Sequence, residues 1–151
     1  MFVPLMNWLK APRPEAKPPN DLRLAVAVLL VEAAHMDDRF GPKEHEVIKR
    51  LLTDKFGLSA SEAQELLELS ETTVARAAQL HPYTRTCFTQ MDDEERLNIV
   101  EMLWEVVYAD GVLDPEEDLL VRRVAALIAI EDRDRVLARQ RVLARIERGV
   151  S

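Results

Sequence analysis

The chain of 151 residues has a single cysteine, Cys87, so no disulfide can form within it, and a reducing compartment, the cytosol, is the natural setting. Its four glycines, Gly41, Gly57, Gly111 and Gly149, stand far apart, which excludes a glycine-rich loop that cradles phosphate. The three histidines, His35, His45 and His81, form neither a paired metalloprotease motif nor a His-Cys zinc spacing. No nucleophile turn for Ser/His/Asp chemistry occurs. Period-two alternation of β-branched residues is missing, so no strand is expected. No apolar run reaches the roughly 20 residues that cross a bilayer. The apolar segment from Met1 to Leu9 is far shorter, and it lacks the basic start and small-residue cleavage site of a secretory signal. Basic residues are also in deficit: 20 Lys and Arg face 27 Asp and Glu, a formal charge of −7. The densest basic stretch, residues 133–148, is interleaved with Asp134 and Glu147 and reads as the polar face of a terminal helix. No nucleic acid is therefore expected as a partner.

What remains is helix-forming composition. Residues 1–19 hold the apolar segment, with Phe2, Leu5, Met6 and Leu9 at helical spacing, and a stiff proline-rich spacer within APRPEAKPPN. Docking on the domain's own surface and peripheral contact with a membrane or partner are both open to that segment. Residues 20–151 form the domain, in which Ala, Leu, Glu and Arg dominate between isolated punctuation points. The run from Leu24 to Val31 is almost wholly apolar and predicts a helix buried on most sides. Gly57 is placed to end a helix opened by Pro42, and Ser59 with Glu62 has capping-box spacing for the next. A break is expected between Ser70 and Glu71, and further helices over residues 83–90, 93–109, 115–128 and 132–148.

An internal duplication is the most informative feature. A shift of 73 positions places Arg23 on Arg96, Leu30 on Leu103, Glu32 on Glu105, Asp37 on Asp110, Pro42 on Pro115, Glu44 on Glu117 and Arg50 on Arg123. Each unit reads as a buried helix, an acidic loop, and a helix opened by proline. Neither unit can bury its apolar faces alone, so the two are expected to pack about a pseudo-twofold axis in an all-α bundle of about seven helices.

The second copy, RLNIVEMLWEVVYADGVLDPEEDLLVRRVAALIAI, resembles the tellurite-resistance protein B-like (TerB-like) proteins of bacteria, whose hallmark is an EMLW-x-V-x-YADG helix end followed by an L-D-x-x-E helix start. The likeness extends over residues 22–143. It implies an all-α, non-enzymatic module of stress-response and tellurite-resistance loci, with acidic residues of the duplicated loops binding a divalent metal. The first copy departs from the pattern at Asp37-Asp38-Arg39, and Gly41 stands where the second copy has Asp114.

Read physically, the acidic residues carry several meanings. Asp114, Pro115 and Glu117 suit a helix start as cap, first residue and third residue, with Gly41, Pro42 and Glu44 as the weaker twin, so capping alone accounts for Glu44 and Glu117. Asp110-Gly111 is not an EF-hand, because Val112 and Val121 stand at the third and twelfth positions. Gly111 instead suits a left-handed helix end. Glu32 and Glu105 lie in apolar surroundings and require a partner: Arg50 or Arg123, or a cation shared between units, unless they are exposed. The candidate metal set is thus Glu32, Asp37, Glu44, Glu105, Asp110 and Glu117, and all-oxygen chemistry favours Ca2+ or Mg2+ over Zn2+. The expected function is a cytoplasmic, non-catalytic module that works through a protein partner. A metal-dependent hydrolase using the same carboxylates and a membrane-peripheral adaptor anchored by residues 1–9 are the alternatives.

Overall fold

The computed structural model describes residues 19–35, 41–76, 81–109, 111 and 115–148, with side chains from residue 22 onward. The N-terminal apolar segment and most of the spacer lie outside the described residues, as do Asp37, Asp110 and Asp114. Among the described residues there are seven helices and no strand: α1 (Pro19–His35), α2 (Pro42–Phe56), α3 (Ala60–Arg76), α4 (His81–Gln90), α5 (Asp93–Val107), α6 (Pro115–Leu127) and α7 (Asp132–Glu147). The all-α expectation holds.

Helix α1 is the central element, packed against α2, α3, α4, α5 and α6. Its apolar run explains this position: every residue from 25 to 31 is buried, so no single stripe faces the core and the helix must be surrounded. Around it gather Ile48 and Leu52 of α2, Leu67 of α3, Ile99, Leu103 and Trp104 of α5, and Leu120 and Val124 of α6, all fully buried or nearly so. Each such aliphatic side chain removed from water contributes about 1.5–3 kcal/mol before conformational entropy is set against it. Trp104 is wholly buried, and its indole N–H donates to the Arg135 carbonyl at 3.2 Å, which satisfies the one polar group it carries into the core.

Local signals set most helix ends. Gly57 takes φ 64°, and its N–H donates to the Thr53 carbonyl at 2.8 Å, closing α2 in the left-handed conformation that glycine adopts without strain. Ser59 and Glu62 form the expected reciprocal cap at the start of α3, with bonds of 2.8 and 3.1 Å. Asp92 and Glu95 do the same for α5. The expected break at Ser70 does not occur. The hydroxyls of Ser70, Thr72 and Thr73 bond back to the carbonyls of Leu67, Glu68 and Leu69, which lets three polar residues sit inside one continuous helix. Helix α4 also starts two residues before its expected Tyr83, at His81.

Moved by 73 positions, the starts of α1, α2 and α3 fall within one residue of those of α5, α6 and α7. The recurring register thus takes in a third helix that the sequence matches did not reach. Among the described residues no helix is long and apolar enough to cross a membrane.

Candidate functional site

The acidic positions singled out in the sequence do not share one environment. Glu44 is the third residue of α2 and is 7% exposed; its Oε1 accepts the Gly41 N–H at 2.9 Å, closing a capping arrangement that Gly41, with no side chain, can offer only from its backbone. Glu117 holds the corresponding place in α6 and is 4% exposed. Both carboxylates therefore sit buried in the first turn of a helix. The positive end of the helix dipole and the free backbone N–H groups favour negative charge there.

Glu105 lies in α5 and is engaged at both oxygens: Oε1 accepts from Arg50 of α2 at 3.1 Å, and Oε2 from Arg145 of α7 at 3.0 Å. One turn earlier, Glu101 accepts from Arg141 at 2.9 Å and from Arg145 at 3.4 Å. Arg50 is one of the two arginines expected to serve these glutamates, and it does so for Glu105, from α2 to α5. Arg123, the other, is exposed and has no ion pair among the described residues. Glu32 is half-buried and has neither ion pair nor hydrogen bond among the described residues. Thr72 of α3 stands 73 positions before Arg145, so the position that would correspond to that arginine carries no charge.

The paired arginines were not anticipated. Residues 133–148 read as a solvated polar face, yet Arg141 and Arg145 face Glu101 and Glu105 across the α5–α7 contact, each pair four residues apart. That common spacing on two long helices was the available signal. Beside the cluster, a cleft of about 180 Å3 is lined by Val47, Arg50, Tyr108, Val142, Arg145 and Ile146. Arg139 covers its neighbourhood by donating to the Tyr108 hydroxyl at 2.7 Å while its guanidinium lies over the Trp104 and Tyr108 rings.

The histidines and the cysteine are also placed. His45 bridges α2 to α3: Nε2 lies 3.0 Å from a Glu71 carboxylate oxygen, and Nδ1 lies 3.0 Å from the Gly41 carbonyl. His35 and His81 are exposed. Cys87 is fully buried in α4, and burial pushes its thiol up to about 12, so it is a packing residue with almost no thiolate at neutral pH. Among the described residues no three His, Cys, Asp or Glu side chains converge as a metal-binding group; Asp37 and Asp110 lie outside those residues.

The arrangement defines a class: a small all-α module with two stretches in the same helical register, buried acids at two helix starts, and a charged cluster that ties three helices together. The chain belongs to the TerB family, for the family model of tellurite resistance protein TerB matches residues 23–140, most of the chain. No curated protein and no solved structure matches it.

Proposed function

We propose that this TerB-family chain is a non-catalytic cytoplasmic module of tellurite or stress response that acts through a protein partner, with a hard divalent cation, Ca2+ or Mg2+, bound at the two acidic loops. The supporting observation is the burial of Glu44 and Glu117 at corresponding helix starts, each seven residues after a loop aspartate, Asp37 or Asp110. A buried carboxylate requires compensation, and the capping bond engages one oxygen of Glu44, leaving the other for a cation. An all-oxygen donor set suits a hard ion. Glu105 fits such a site poorly, because both its oxygens face arginines, so the proposal rests on Asp37, Glu44, Asp110 and Glu117. The bound ion would contribute charge neutralisation between the loops and stabilise the fold by mass action. The two units are taken to pack about a pseudo-twofold axis, in keeping with the shared register of their helix starts.

Calorimetric titration of metal-stripped protein with Ca2+ and with Mg2+ tests the cation, with Asp37→Asn/Asp110→Asn as control. The expected result is a saturable heat and a raised melting temperature, both lost in the double variant. No heat at millimolar cation, or equal binding by the variant, would leave helix capping as the account of these acids. A pull-down with wild-type protein and the loop variant side by side tests the partner.

A further inference from the structure

The cleft beside Glu105 has a chemistry opposite in sign to that of the acidic loops. Arg50, Arg141 and Arg145 bond the carboxylates of Glu101 and Glu105, and Arg139 bonds the Tyr108 hydroxyl. Asp54 and Lys55, on the adjoining surface, offset each other. Among the described residues this cluster thus sets four arginines against two glutamates, a positive excess in a chain of −7. Such a local field draws anions.

The hydrogen-bond inventory points the same way. Arg50 gives only Nη2 to Glu105, so its Nε and Nη1 donate to nothing among the described residues. Arg145 gives both terminal nitrogens to Glu101 and Glu105, and its Nε donates to nothing there. A guanidinium cannot accept, so the Tyr108 oxygen is the acceptor in its bond with Arg139, and the phenol O–H is left to donate. Arg50, Arg145 and Tyr108 all line the cleft, whereas Glu105, the acceptor in its lining, is already engaged at both oxygens. The cleft has donors to spare and lacks an acceptor. Its other walls are aliphatic: Val47 of α2, with Val142 and Ile146 of α7. A bare phosphate would leave these walls unused. The volume of about 180 Å3 equals that of roughly six water molecules, which suits a carboxylate on a chain of about four carbons. The planar guanidinium fork matches a carboxylate, and apolar walls with a few placed polar groups are the usual composition of a small-molecule site.

We propose that the cleft between α2, the end of α5 and α7 binds a short-chain aliphatic carboxylate. Arg50, Arg145 and the Tyr108 hydroxyl hold its carboxylate group, and Val47, Val142 and Ile146 cover its tail.

Titration followed by proton–nitrogen correlation NMR tests this on the full chain, stripped of metal and freed of chelator, in about 0.15 M NaCl to screen diffuse attraction. Acetate, propionate and butyrate should bind saturably, butyrate with a dissociation constant in the millimolar range, as befits so small a ligand. Affinity should rise about threefold for each added methylene until the cleft is full. The shifted amides should include those of Val47, Tyr108, Ala109 and Ile146, all in the lining. Butyramide, similar in shape but uncharged, should bind at least about tenfold more weakly than butyrate. That comparison uses the wild-type protein, so it does not depend on any variant folding. Arg50→Gln, with circular dichroism unchanged, should weaken butyrate about tenfold, and Tyr108→Phe should weaken it as well. No saturable shift at tens of millimolar butyrate, or equal binding of butyramide, overturns the proposal. So does phosphate binding as tightly as butyrate with no gain along the acid series, which would mark an unspecific cationic patch.

Discussion

Glu32, Glu44, Glu62, Glu105 and Glu117 look alike as letters, and the structure gives them different work. Glu105 answers two arginines, Glu44 and Glu62 cap helices, Glu117 is buried at a helix start, and Glu32 is left half-buried with no ion pair among the described residues. The capping roles were legible, because a cap is a relation between residues three apart, a distance the local chain fixes by itself. The partner of Glu105 was legible only as a choice between Arg50 and Arg123, since which helix lies across from α5 is a matter of packing. Glu62 offers a titration test of capping. The Ser59 backbone N–H and hydroxyl hold its carboxyl below the ordinary value of 4.5, so its contribution is present above that value and is lost as pH falls through the lowered pKa. Glu62→Gln should therefore melt below wild type at pH 7, and the two melting temperatures should converge as pH is taken down through the lowered pKa. A gap that persists unchanged in acid would show that the carboxylate's charge is not what matters.

Whole helices were more readable than their internal punctuation. Residues 60–76 contain Ser70, Thr72 and Thr73, which as isolated residues favour turns, but their hydroxyls find carbonyls one turn back and Leu67 is locked in the core, so the helix runs on. The end of α6 shows the reverse case, a terminator that sequence does not advertise. Ala129 adopts φ 64°, and the Ile130 N–H donates to the Ala125 carbonyl at 2.8 Å, a left-handed close that glycine ordinarily makes. An alanine there bears a steric cost of about 1–2 kcal/mol. Because Ala129 is exposed and gives up little packing, Ala129→Gly should stabilise the protein by about 1 kcal/mol, less than the full strain because glycine also loosens the unfolded chain. A rise in melting temperature of about 2–4 °C is the expected reading. A fall would mean that backbone entropy outweighs the strain.

At the scale of the whole molecule, Arg145 joins what the chain separates: from α7 it reaches Glu101 and Glu105 of α5, and Glu105 in turn holds Arg50 of α2. Arg145→Met keeps much of the aliphatic stem but leaves two part-buried carboxylates with fewer cations, so it should cost about 1–2 kcal/mol, within the range between exposed and buried pairs. The loss should shrink as salt is raised from 0.05 to 0.5 M, because ions screen what remains open to solvent. A salt-independent loss would mark Arg145 as a packing residue. Sequence by itself determined the helical class, the caps at Gly57 and Ser59, the buried course of α1 and the family, because each is written in local spacing or in a motif that repeats at a fixed offset. Tertiary structure alone decided that Glu105 pairs while Glu32 has no ion pair among the described residues, that Arg141 and Arg145 of α7 meet the glutamates of α5, and that Leu69 is left exposed. Those outcomes depend on which faces meet across distances of 40 or 55 residues in the chain. Periodicity states that a face exists; only packing selects what it meets.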